Sequence, residues 1–246
     1  MPCWFRKRES PPRRALELAD WQELSGLDNA SNWRSLVDAH TAEALHLLTS
    51  SRDDWQARRT GTSRVVQDTV SVWSRPVVGT PMLATVGEAH FDDVGADALF
   101  CLFVSTEGFF LIDKDAEDHA ATRRACFCDS AEARVDLCQT LKKPPCAREF
   151  ITLNSVSFEQ RTFVSYSVRS DAFPEQPALP RAWNRFAIRT LPSGERGCVC
   201  HILNWFECGG DAGCLPDDAA NSFMVDRFLQ GIFARTREHL RLHPPV

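Results

Sequence analysis

Apolar positions along the chain change their spacing from helical to alternating and back to helical. Trp33, Leu36, Val37, His40, Ala44, Leu47 and Leu48 recur every three or four residues in "SNWRSLVDAHTAEALHLL", one stripe of an amphipathic helix for which Ser31 is the expected N-cap. "DTVSVW", ending at Trp73, and "PMLATVGEAHF", ending at Phe91, read as two strands joined as a hairpin by the turn-forming "RPVVGTP". "DDVGADALFCLFVS" gathers Leu99, Phe100, Leu102 and Phe103 into a short apolar helix, and "FFLIDKDAEDHA" continues as an irregular or helical acidic stretch.

From Arg123 onward the spacing is that of strands. "RRACFCD", "ARVDLCQTL", "REFITLNSV", "RTFVSYSV", "RAWNRFAI" and "GCVCHILNWF" give six of them, divided by polar or proline-rich turns such as "FPEQPALP". A long helix closes the chain, capped at Asp217, with Phe223, Met224, Phe228, Leu229, Ile232 and Phe233 on a wide apolar face. The fold class is therefore α+β, with a largely antiparallel sheet of about nine strands against one long C-terminal helix. A strongly curved sheet can close around such a helix without filling the space between them, and apolar cavities with a few polar groups are where small apolar ligands bind.

Composition narrows this picture without changing it. Of 246 residues, 43% are hydrophobic and 25% charged, the balance of a soluble globular chain. A net charge of -5 and a pI near 5.8 exclude a general nucleic-acid binder, because phosphate binding needs clustered Lys and Arg. The one basic cluster, "RKRESPPRR", lies in residues 1–27, which read as a disordered basic leader; residues 28–246 read as a single domain. No run of about 18 apolar residues and no signal peptide is found, so a cytoplasmic protein is expected, its ten cysteines mostly small apolar residues.

Candidate chemistry is sparse. Cys126-x-Cys128 and Cys198-x-Cys200 each put two thiols on one face of a strand, but no Cys-x-x-Cys knuckle supports zinc. His239 and His243 share a helix face beside Glu238 without the His-Glu-x-x-His of a zinc protease. Asp113, Asp115, Glu117 and Asp118 lack the glycine and final Glu of a calcium loop. Neither a nucleophile elbow nor a phosphate-binding glycine loop is present, so no catalytic residue, no metal and no cofactor is assigned. The weak acid-base candidate is Asp136 with His201 or Arg185.

The C-terminal half resembles the START domain, the steroidogenic-acute-regulatory-related lipid transfer family with a helix-grip fold. The residues that carry the likeness are Arg148-Glu149-Phe150, Ser167-Val168 leading to Pro174, Pro180-Arg181-Ala182, and Gly213-Cys214-Leu215-Pro216, in family order over residues 120 to 240. Glu149 stands where the family usually has Asp. The resemblance implies a hydrophobic tunnel for a single lipid, a sterol, phospholipid or sphingolipid, capped by the last helix and the loop "LKKPPCA". Carried over by position, its polar contacts are Asp136, Asn154, Arg185 and the apolar Ile202.

Strand alternation adds Phe150 and Thr152 beside Asn154, and Cys200 and Asn204 beside Ile202; Met224, Phe228 and Ile232 complete the expected wall from the helix. Asp136 is expected to pair with Arg185 or a ligand hydroxyl, or else both face solvent. Leu141, Lys142 and Lys143 are the expected contact with a transient membrane surface. The function these readings imply is intracellular lipid transfer or sensing by a monomer, with a helix-grip cyclase- or hydrolase-like enzyme, or a ligand-free regulatory scaffold, as alternatives.

Overall fold

A computed structural model describes residues 16–17, 23–24, 30–58, 70–113, 119–142, 148–176, 179–207, 222 and 228–244. Its elements follow the expected order. Helix α1 (Ala30–Thr49) starts one residue ahead of the expected cap, and is followed by the strands β2 (Gln56–Arg58), β3 (Val70–Pro76) and β4 (Leu83–Phe91). Two short helices, α2 (Ala96–Val104) and α3 (Thr106–Ile112), precede β5 (His119–Asp129), β6 (Ala133–Lys142), β7 (Arg148–Ser157) and β8 (Thr162–Ser167). The strands β10 (Trp183–Ser193) and β11 (Gly197–Glu207) and the C-terminal helix α4 (Leu229–Leu242) complete the main body. Residues 208–221 and 223–227, which hold Met224 and the expected cap Asp217, lie outside the described residues.

Nine strands form one sheet in the order β2-β3-β4-β11-β10-β8-β7-β6-β5, and every neighbouring pair is antiparallel. Period-two alternation sends successive residues to opposite faces. On β10 and β11, Ala187 and Leu203 face outward to α1, while Ile188 and Ile202 face inward to α2 and α4. The outer face packs Ala44, Leu47 and Leu48 of α1 against Val86, Val164 and Tyr166, and Trp33 and Leu36 against Leu137, Ile151 and Leu153. The inner face packs Leu99 and Phe103 of α2 and Leu229, Ile232 and Phe233 of α4 against Val72, Ala89, Phe91 and Ile188. Each such side chain, fully buried, contributes about 1.5–3 kcal/mol, so the two faces hold helices by comparable amounts.

Two glycines permit close approaches. A Cβ on Gly108 would stand 2.0 Å from the Leu102 carbonyl oxygen, so the tight junction of α2 and α3 requires glycine; Ser105 caps α3 there by accepting from the Gly108 amide at 3.1 Å. A Cβ on Gly87 in β4 would meet Phe233 at 2.9 Å and Leu229 at 3.1 Å, so α4 rests directly on the sheet at that point.

The two motifs that open β7 and β10 meet in space. Glu149 and Arg181 form a parallel bridge, and Arg181 donates to Glu149 Oε2 from Nη2 at 2.7 Å and from Nε at 3.2 Å. Gln139 donates to Oε1 at 2.7 Å, and Arg181 also donates to the Phe173 carbonyl at 2.7 Å. This buried clip fixes where β7 begins.

The packed body also reaches further toward the N-terminus than residue 28. Leu16 bridges Val77 and is buried, and β1 (Glu23–Leu24) pairs in parallel with β9 (Arg169–Ser170), with Leu24 fully buried. The expected common face for Cys126 and Cys128 is corrected by a register shift in β5: Cys126 stands opposite Asp136, but Cys128 stands opposite Val135 and packs on the outer side.

Candidate functional site

The register of the sheet lines up a row of polar residues that no single strand reveals. Asp136, Asn154, Ser165, Phe186, Asn204, Thr85 and Ser74 are successive partners across β6, β7, β8, β10, β11, β4 and β3. All lie on the inner face, and the row is a transverse belt broken only by Phe186. Asp136, Ser165, Asn204, Thr85 and Ser74 are buried. One notch along the strands, the neighbouring row reads Arg134, Val156, Phe163, Ile188, Ile202, Gly87 and Val72, and is apolar except at Arg134. On the belt's other side lie Cys138, Thr152 and Ser167, then the stacked rings of Phe150 and Phe206, 5.8 Å apart.

Burying polar groups in such numbers is costly unless each finds a partner. Some do. The Thr85 hydroxyl donates to the Asn204 backbone carbonyl at 3.0 Å, Arg58 donates to Ser74 at 2.7 Å, and Arg134 lies 3.3 Å from Asp136 on the same strand. Asn154 donates to the Cys138 sulfur at 3.3 Å. At the two asparagines of the belt, the side-chain carbonyl oxygen of Asn154 and the side-chain nitrogen of Asn204 are buried with no hydrogen-bond partner.

Of the expected wall, Asp136, Phe150, Thr152, Asn154, Cys200, Ile202 and Asn204 share this inner face. Cys200, Ile202 and Ile232 are packed into the core beneath α4 with no exposure, and Phe228 lies against the same cluster. They form a filled floor, and the polar belt is the part of the face that lies beyond it. Burial pushes the Cys198 thiol up to about 11 and the Cys200 thiol well above its ordinary value, so neither is a nucleophile at neutral pH.

Arg185 is corrected outright. It is an odd-numbered residue of β10 and points to the outer face, where Nη1 donates to both carboxylate oxygens of Glu43 in α1 at 3.0 Å. Its guanidinium lies 5.6 Å from the ring centres of Tyr166 and Trp205, a stacked cation that fastens α1 to the sheet. Arg134 therefore takes the place expected of Arg185 beside Asp136, and neither Asp136 nor Arg185 faces solvent. His201 is on the outer face as well, 3.0 Å from Glu88, with burial holding its pKa below the ordinary value despite that carboxylate. The acid-base pairings of Asp136 with His201 or Arg185 are thus separated by the sheet itself.

Leu141 and Lys142 end β6 and are not loop residues, and Lys143 and Met224 fall outside the described residues. Among the described residues, no three His, Cys, Asp or Glu side chains converge as metal ligands, and no helix is long and apolar enough to cross a membrane. Ser74, Thr85, Ser165 and Arg134 are the residues of this face that strand spacing alone does not single out.

Compared by sequence, the chain matches no protein-family model and no curated protein. Compared by structure, it is similar to human StAR-related lipid transfer protein 5, with a TM-score of 0.63 and 19% identity over 86% of this chain and 98% of that one. Human STARD10 aligns with a TM-score of 0.56 and 17% identity over 82% of this chain and 81% of that one. A STAR-related lipid transfer protein fragment from Xanthomonas axonopodis aligns with a TM-score of 0.50 and 16% identity, covering 76% and 98%. An antiparallel sheet of nine strands, a C-terminal helix on its inner face and these likenesses define the class: the chain has the START-like helix-grip fold.

Proposed function

We propose that this chain binds one hydrophobic or amphiphilic guest, such as a lipid, on the inner face of the sheet, and carries or senses it by exchange without making or breaking bonds. The observation that carries the reading is the buried belt, with unmet polar atoms at Asn154 and Asn204. Each buried and unpartnered group costs about 1–3 kcal/mol. A guest with hydrogen-bonding groups supplies what the protein lacks. The START-like fold supports the same reading, and one of the human structures and the bacterial one are named StAR-related lipid transfer proteins.

Affinity for the guest comes from apolar burial, worth about 0.8 kcal/mol per methylene, and orientation comes from the belt. Release into water would be slow at that affinity, so the end of β6 and the segment after it, including Leu141, Lys142 and Lys143, serve in this proposal as the membrane-facing edge where the guest leaves. The protein acts as a monomer in the cytoplasm, peripherally at membranes. The ligand-free scaffold has one observation on its side, the floor filled by Leu229 and Phe233 against Gly87, with Ile232 in the same cluster. It does not account for the belt.

Native mass spectrometry of the purified chain, followed by solvent extraction, tests the proposal. One guest per chain, with transfer of labelled lipid between liposomes, is the expected result. An empty protein that moves no lipid between liposomes removes the reading.

A further inference from the structure

The two unmet amides lie at separate points of the belt, and their spacing bears on the kind of guest. Asn154 is on β7 and Asn204 on β11, with Ser165 of β8 and Phe186 of β10 between them in the same row. Three strand spacings put the two side chains about 14 Å apart along the sheet. That is too far for one hydroxyl or one headgroup oxygen to reach both. Between them the row is apolar: it holds the buried Phe186 ring, in T-shaped contact with Phe163.

From this spacing we infer that the guest is two-ended: an elongated apolar body with a hydrogen-bonding group at each end, lying across the strands with one end at Asn154 and the other at Asn204. The inference rests on the proposed binding of a guest at this face and adds its chemical class. The Asn154 oxygen takes a donor and the Asn204 nitrogen takes an acceptor; turning either amide over exchanges these roles, and a hydroxyl satisfies both. Asp136 with Arg134 flanks the Asn154 end, and Thr85 with Ser74 flanks the Asn204 end, so each end group meets further polar neighbours. A lipid with a single headgroup and bare alkyl tails would leave one of the two amides unmet.

The test uses two soluble probes with the same apolar body, decanol and the α,ω-diol of decane, titrated calorimetrically into the full chain. The diol is expected to bind about tenfold more tightly than decanol, although it is the more water-soluble of the two, because it meets both buried amides. Asn154→Leu and Asn204→Leu, each nearly isosteric, are each expected to bring that ratio to about one while decanol still binds at the remaining amide. Near-UV circular dichroism checks that the variants keep their packing, and the wild-type ratio decides the matter if one does not. Equal binding of diol and decanol by the wild type overturns the two-ended guest and leaves the binding proposal standing. A diol preference that survives both substitutions also overturns it, and failure of both probes to bind, in a chain that carries no guest as purified, overturns both.

Discussion

Breaking the clip between Glu149 and Arg181 should unfold this protein more readily than any surface change, and its cost can be worked from the geometry. The Glu149 side chain is 1% exposed and that of Arg181 is 4% exposed, so neither ion has water to fall back on. Replacing Glu149 by Leu strands the guanidinium and frees Gln139, and replacing Arg181 by Met strands the carboxylate and leaves the Phe173 carbonyl without its donor. Removing one partner of a buried pair costs about 3–5 kcal/mol, whereas replacing both with apolar residues is often close to neutral. With a urea slope of about 3 kcal/mol per molar for a chain of this size, each single variant should lower the unfolding midpoint by about 1 M or more. The double variant Glu149→Leu with Arg181→Met should recover most of that loss. Tryptophan fluorescence in urea reads all four proteins, and the cycle isolates the coupling. Single variants with unmoved midpoints, or a double variant that loses the sum of the singles, would refute the reasoning.

Two further outcomes follow from other contacts. His40, buried against Tyr166 with ring centres 4.6 Å apart, has its pKa lowered by burial and by Arg185 from 6.5 to about 4. As pH falls below 6.5 the unfolded chain takes up this proton first, so stability present at neutral pH is lost as pH drops toward 4, by about 3 kcal/mol in all. His40→Phe should remove that part of the slope, measured as the difference between urea midpoints at neutral and acid pH; an unchanged slope would exclude His40 as its source. Gly87→Val should force Phe233 and Leu229 away from β4 at a cost of about 1–3 kcal/mol, read as a lower melting temperature with faster hydrogen exchange in α4. Exchange unchanged in α4 would mean that the helix does not rest on Gly87.

Much of the fold was legible because its signals are local. Alternation on β7 puts Phe150, Thr152 and Asn154 on one side whatever lies next to them, and the hairpin of β3 and β4 is announced by its turn. Arg185 shows where local signals end. Its own strand says only that it lies opposite to Phe186; that Phe186 faces inward is decided by Leu229, Ile232 and Phe233, far along the chain. The bulge at Cys126 and Cys128 is likewise set by how β5 meets β6. Ser74, Thr85 and Ser165 carry no individual signal, since a small polar residue on a strand usually faces water. Only the pairing of seven strands makes them neighbours.

That dependence on register bears on how a guest would be chosen. Where Gly87 lets α4 descend onto β4 and Ile202, the protein's own side chains already occupy the inner face, and no methylene of a guest gains from burial there. Apolar contact must come instead from Phe150 and Phe206 beyond the belt. The belt runs through this remaining area from β6 to β3, so a guest that reaches the apolar walls also covers polar groups that have lost their water. Covering them with hydrocarbon alone leaves each unmet, at a cost comparable to the gain from about one to four buried methylenes. On the proposed binding, selectivity would therefore be set by where a guest carries its polar atoms along its length, and total hydrophobicity would set only how firmly it is held.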